Sequence, residues 1–145
     1  MSIKLTPMNL QKLQRLVIDA LEDVKAQDIK VFDTTDITSM FDRVVIASGT
    51  SNRQARALAS SVANAARAQK IPIVAYEGQE TGEWVLLDLG DIVIHCMQPE
   101  IRRYYNLEEV WGAKPVKVKL LPQSTLQPDD WVHEPDSIDD IDETD

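Results

Sequence analysis

The stretch from Trp84 to Met97 constrains this chain more than any other. Trp84 to Leu89 and Asp91 to Met97 form the clearest strand pair in the sequence, joined through Leu89-Gly90. Tight pairing about that dipeptide sets Asp88 opposite Asp91, Leu86 opposite Val93 and Trp84 opposite His95. Side chains of a strand point alternately to the two faces of a sheet, so Val85, Leu87, Ile92, Ile94 and Cys96 make one apolar face that must turn to the core. The other face carries Trp84, Leu86, Asp88, Asp91, Val93, His95 and Met97, a mixture that solubility alone does not require. On one reading a helix covers Leu86, Val93 and Met97 while the polar residues line its rim. On the other the face docks a partner. Two carboxylates directly opposite each other cost roughly 0.2–1 kcal/mol by repulsion, which favours a site that a cation is meant to meet. A Trp beside paired acids suits a basic, partly apolar protein patch.

The remaining elements build an α/β protein around this pair. Thr6-Pro7 predicts a helix N-cap followed by proline at the first helical position, and Leu10, Leu13, Leu16, Val17, Ala20, Leu21 and Val24 recur on one face to about Gln27. Ile29 to Thr34 alternates as a strand. Val44 to Ala47 is a β-branched run before Ser48-Gly49, the pattern of a buried strand. Ser51 to Gln54 fits a capping box, and the small stripe Ala55, Leu58, Ala59, Val62 and Ala66 predicts a helix lying close to a sheet and stopping before Pro72. Ile71 to Tyr76 reads as a strand. Pro99 to Tyr105 is a short helix, extended or followed by Leu107 to Trp111. Val116, Val118 and Leu120 alternate with Lys117 and Lys119 as a lysine-protected edge strand or an extended arm.

Charge is distributed unevenly. All 15 Lys and Arg lie at or before Lys119, where they face an equal number of carboxylates, and the other nine of the 24 carboxylates fall between Asp129 and Asp145. The expected organisation is a neutral domain over residues 1–121 and an acidic, disordered tail over 122–145, where three prolines interrupt scattered apolar residues. A neutral domain with an acidic tail lacks the clustered cations that DNA binding needs, and a basic protein is the better partner. One cysteine, Cys96, excludes an internal disulfide and a thiolate-rich zinc site. With no apolar run of spanning length and no signal-peptide pattern in Met1 to Pro7, a cytoplasmic protein without membrane attachment is expected.

Catalytic readings of these residues are weak. His95 could be a general base and Asp88 with Asp91 could hold a metal, but a lone His without a nearby nucleophile is more often structural. Cys96 falls on the core face. Gly49-Thr50-Ser51, between a strand and a helix, could cradle a phosphate on free helix amides, although one glycine without a P-loop lysine reads better as a capped helix start. A nucleotidyltransferase would place an Asp-x-Asp pair soon after such a turn to hold two metals. No Asp or Glu lies between Ser51 and Tyr76, and Asp88 and Asp91 come too late and too far apart. No catalytic residue, cofactor or metal is therefore expected.

Four blocks carry a resemblance. They are Asp42 to Ser51 with Arg53-Gln54, then Glu77-Gly78, then Trp84 to His95, and then Arg102 to Trp111. Over about residues 10–112 the chain resembles the ribosomal silencing factor family, also called Iojap-like, with Trp84 to His95 its most specific part. The resemblance implies a mixed β-sheet flanked by helices, nucleotidyltransferase-like but without the catalytic carboxylates. It implies a translational repressor that binds ribosomal protein L fourteen on the large subunit, blocks joining of the small subunit when nutrients are scarce, and is homodimeric when free. The family's partner-binding tryptophan falls on Trp84 and its acidic motif on Asp88 and Asp91, with Leu86, Met97 and Tyr104 as further candidates. Residues after 112 lie outside the resemblance. A large-subunit assembly factor and a nucleotide-binding transferase using Gly49 to Ser51 are the alternatives.

Overall fold

The computed structural model describes residues 9–111 and 114–120. The expected tail at 122–145 and the expected cap at Thr6-Pro7 lie outside the described residues. The element order is α1 (Leu10–Asp23), β1 (Gln27–Asp33), β2 (Arg43–Ser48), α2 (Asn52–Ala68), β3 (Ala75–Glu77), β4 (Trp84–Asp88), β5 (Ile92–Met97), α3 (Pro99–Tyr105) and α4 (Leu107–Trp111).

Helix α1 starts later than the sequence suggests. Asn9, with extended backbone, caps it by accepting the Lys12 amide at 2.8 Å, which satisfies one of the free donors at a helix start. Helices α1 and α2 end in the same way, and earlier than periodicity alone predicts for α1. Lys25 and Lys70 adopt left-handed backbone at φ 63 and 60. Each turns the chain so that the following amide, of Ala26 or Ile71, reaches back to Leu21 or Ala66, while the lysine amides bond Glu22 and Arg67. This is the Schellman arrangement, here with lysine where glycine is usual. The buried Ala26 and Ile71 supply its apolar contact.

The strands form one sheet in the order β1-β2-β5-β4-β3. β2 and β5 run parallel and every other pair is antiparallel. α1 and α2 pack on one face over Val45, Ala47, Val85, Leu87, Ile92, Ile94 and Cys96, the main core. The core face expected for the β4–β5 hairpin is therefore observed. β3 is shorter than predicted because Ile71 is taken up by the end of α2, and ladder pairing begins only at Ala75.

The hairpin register differs from the sequence expectation. Gly90 and Asp91 form the turn, with the Leu89 amide bonded to the Ile92 carbonyl at 2.9 Å, so Asp88 pairs with Val93, Leu86 with His95 and Trp84 with Met97. The cause is local. Gly90 holds φ +93, its amide donates to Asp88 Oδ1 at 2.7 Å, and the Asp42 and Arg43 amides both bond the Asp91 carbonyl. Asp88 and Asp91 are thus not opposed, and the repulsion argument for a cation site does not hold. Because the slip is by two residues, the side chains within β4 and β5 keep their expected faces, and only Asp91 leaves the strand for the turn.

Residues 114–120 form the arm and not the strand of the two readings offered by the sequence. The arm is tied to the outer edge of β1 by Asp33 N to Lys114 O and Val116 N to Val31 O. Val116, Val118 and Leu120 pack on the main core, and Arg15 Nη1 holds the Lys119 carbonyl at 2.9 Å.

Candidate functional site

The second face of the sheet is covered only in part. α3 and α4, with Phe41, close over Phe32, Val44, Ile46 and Met97 through Ile101, Leu107 and Trp111. That cover ends near β4, where Trp84, Leu86 and Asp88 are half-buried. The expected helical cover holds for Met97, which is fully buried beneath the helices, but not for Leu86, which with Trp84 reaches solvent. Among the candidate contacts, Met97 is corrected to a supporting core residue, since no surface remains on it.

Trp84 begins β4, and its position depends on the connection before it. Gly78, at φ +88, passes so close to the Trp84 carbonyl that any Cβ would collide with it. Gly82 has φ +75 and abuts the Asn52 carbonyl and Arg56 side chain at the start of α2, and Arg56 Nη1 bonds the Thr81 carbonyl at 3.0 Å. The loop is therefore held against a helix, and the strand entry is fixed.

A row of rings follows from this placement. The Trp84 indole N–H donates to His95 Nδ1 at 3.0 Å. Trp84 also meets Tyr105 with ring centroids 4.9 Å apart, and Tyr105 meets Tyr104 edge-on at the same separation. Such tilted and edge contacts are the favoured geometries for aromatic pairs. Tyr104 is 80% exposed and Tyr105 53%, so the row runs from a buried imidazole to open solvent. Burial pushes the His95 pKa down to about 4, which keeps the ring neutral at ordinary pH.

Tyr105 was not among the sequence candidates, although Tyr104 was. Helical spacing carries the signal: Tyr105 follows Ile101 by four residues and Arg102 by three, and those two are the inward-facing residues of α3. Arg102, which holds α3 in place, was likewise not a sequence candidate. Only 3% exposed, its guanidinium forks onto both oxygens of Glu108 in α4 and reaches the Asp28 carbonyl at 2.7 Å and Ser48 Oγ at 2.8 Å. Asp28 presents that carbonyl because it has left-handed backbone, φ 49, at an irregularity in the β1–β2 register. One buried cation thereby joins α3, α4, β1 and β2, and its charge is met by Glu108 and by Asp28 at 3.6 Å.

The acidic candidates sit apart from the rings. Asp88 is at the far end of β4, its carboxylate engaged by the turn, and Asp91 lies in the turn itself. Among the described residues no three of His, Cys, Asp and Glu gather in a way that could hold a metal ion. The Gly49 to Ser51 turn is occupied by its own chain: Ser51 Oγ accepts the Gln54 amide at 3.0 Å, the Thr50 hydroxyl donates to Gln54 Oε1 at 2.7 Å, and the Gly49 amide bonds the Met97 carbonyl. This is the capped helix start, with the Gln54 side chain returning to Thr50 in place of Ser51. Cys96 is fully buried and its thiol pKa is pushed up to about 12 by burial. No helix among the described residues is long and apolar enough to cross a membrane.

Comparison with known proteins converges. A family profile described as "Ribosomal silencing factor during starvation" matches residues 7–143, running past the last of the four sequence blocks. The chain is 48% identical over 107 residues to the protein named Ribosomal silencing factor RsfS of Chromobacterium violaceum, covering 74% of this chain and 88% of the relative. A crystal structure of a Chromobacterium violaceum protein superposes with a TM-score of 0.72 at 42% identity, over 83% of this chain and all of that one. A mouse protein named Mitochondrial assembly of ribosomal large subunit protein 1 is 32% identical over 102 residues, which are 68% of this chain and 45% of the relative.

Proposed function

The chain belongs to the ribosomal silencing factor family, and from that membership we propose that it represses translation by binding ribosomal protein L fourteen on the large ribosomal subunit and keeping the small subunit from joining. Membership makes it a ribosome-associated regulator of translation. The finer reading adds the partner, the steric mechanism, a cytoplasmic location and a homodimeric free state, and needs no catalytic turnover.

The observation that carries it is the ring row of Trp84, Tyr105 and Tyr104 beside Leu86, on a sheet face that α3 and α4 otherwise cover. Large rings that are partly held and partly exposed bury much area on docking while losing little side-chain freedom, which is why Trp and Tyr dominate interface hot spots. Asp88 and Asp91 add negative charge at one end, suited to steering a basic partner. The test is co-sedimentation with separated ribosomal subunits and a subunit-joining assay. Trp84→Ala is expected to weaken large-subunit binding by about 2 kcal/mol, about thirtyfold, and Asp88→Lys with Asp91→Lys to weaken it further. Wild-type binding by Trp84→Ala would sink the assignment of this face.

A second reading, assembly of the large subunit through the same face, is favoured by the name of the mouse relative. Tighter binding to precursor than to mature large subunits would select it.

A further inference from the structure

We infer that His95 is a positioning residue of the docking face: its imidazole accepts the Trp84 indole N–H and holds the indole in the orientation that Tyr105 completes. The inference rests on the docking reading of Trp84 and extends it to a side chain that a partner has no need to touch. His95 stands in the middle of β5 between Ile46 of β2 and Leu86 of β4, 7% exposed. Its strand neighbours are apolar, so packing alone would be served as well by a leucine. What leucine lacks is the acceptor 3.0 Å from Trp84 Nε1.

The direction of that bond fixes the chemistry of the ring. An indole N–H can only donate, so Nδ1 carries a lone pair and the imidazole proton resides on Nε2. Desolvation maintains the same neutral state, since no charged neighbour contributes to the lowered pKa. The bond is also not a by-product of strand pairing. Trp84 is in register with Met97, and His95 with Leu86, so the indole reaches diagonally across the hairpin to find its acceptor. A half-buried tryptophan without that acceptor can satisfy its N–H by turning toward water, and the ring face that meets Tyr105 at 4.9 Å would turn with it. Arg102 holds the other member of the contact by anchoring α3, so the two rings are positioned from opposite sides by two buried polar residues.

Two substitutions separate positioning from space-filling. His95→Leu keeps the bulk and removes the acceptor. His95→Asn loses bulk but places its side-chain oxygen where Nδ1 stood, because the two atoms lie the same number of bonds from the backbone. In the full-length protein the Trp84 indole resonance, identified by its loss in Trp84→Ala, is followed in a two-dimensional 1H–15N spectrum while binding to purified large subunits is measured. Expected results are a shifted, rapidly exchanging indole signal and about tenfold weaker binding for His95→Leu, with signal and binding kept within about threefold in His95→Asn. Undiminished binding by His95→Leu, in assays where Trp84→Ala is weakened, overturns the inference, as does equal weakening by both variants. If Trp84→Ala itself binds like wild type, the docking reading has failed, and an unchanged indole signal in His95→Leu would show separately that His95 does not position the ring.

Discussion

At the scale of single residues, burial decides what each side chain of the hairpin does. His95 is neutral because it is desolvated, and this has a sign for stability. Its folded pKa of about 4 lies below the unfolded value of 6.5, so between these limits the unfolded chain binds the proton more readily and stability falls as pH falls. Above about pH 7 the contribution is constant. At roughly 1.4 kcal/mol per pKa unit the loss approaches about 3 kcal/mol by pH 4. Denaturant melts from pH 7 to pH 4 should show it as a slope that His95→Leu removes. Asp33, held low mainly by the Thr35 hydroxyl, contributes a slope of the same sign below its usual value, so the wild-type minus variant difference is the quantity to compare. Leu87, fully buried on the opposite face, belongs to the core alone. Leu87→Ala should cost roughly 2–5 kcal/mol of stability as a cavity-forming truncation while subunit binding, measured where the variant is folded, stays at the wild-type level. A selective loss of binding without loss of stability would contradict the separation of the two faces.

At the scale of elements, what the sequence made legible was periodicity, and what it hid was the chain's turns. Alternation assigned Val85, Leu87, Ile92, Ile94 and Cys96 to the core correctly, because a face survives any register slip of two residues. The register itself was not legible, since it depends on the Asp88 carboxylate and on two amides from Asp42 and Arg43, far away in sequence. The ends of α1 failed for a related reason, while α2 is capped by Ser51 and stops before Pro72 as expected. Asn9 caps α1, and lysines occupy the left-handed positions where glycine would have announced a stop. Those lysines yield a prediction. Lys25→Gly and Lys70→Gly relieve the steric cost of a Cβ at positive φ, and each should stabilise the domain by about 0.5–1 kcal/mol. A lower urea midpoint in either variant would mean that the lysine side chain makes a compensating contact. Of the candidate site, Trp84 and Tyr104 could be found from sequence and Tyr105 is marked by its helical spacing from Ile101 and Arg102, whereas the contacts of Arg102 and His95 depend on long-range packing that no local pattern encodes.

At the scale of the whole molecule, the sheet separates a thick layer from a thin one. α1 and α2 bury the large cluster on one side, while α3 and α4 share only a small apolar group on the other and are held in addition by the Arg102 guanidinium. Regions with few apolar contacts open at lower free energy than the core and tend to do so as cooperative units. Because one side chain grips both short helices and the strands beneath them, they should come away together. Native-state hydrogen exchange should therefore find the amides of Arg102 to Trp111 sharing one opening free energy, well below that of β2 and β5, and Arg102→Leu should lower it for all of them at once. Separate values for α3 and α4 would show that the two helices are fastened independently. On the docking reading proposed above, the guanidinium acts as a latch: release of α3 and α4 would dissolve the ring row, so Arg102→Leu should lower the fraction of molecules ready to bind without unfolding the domain.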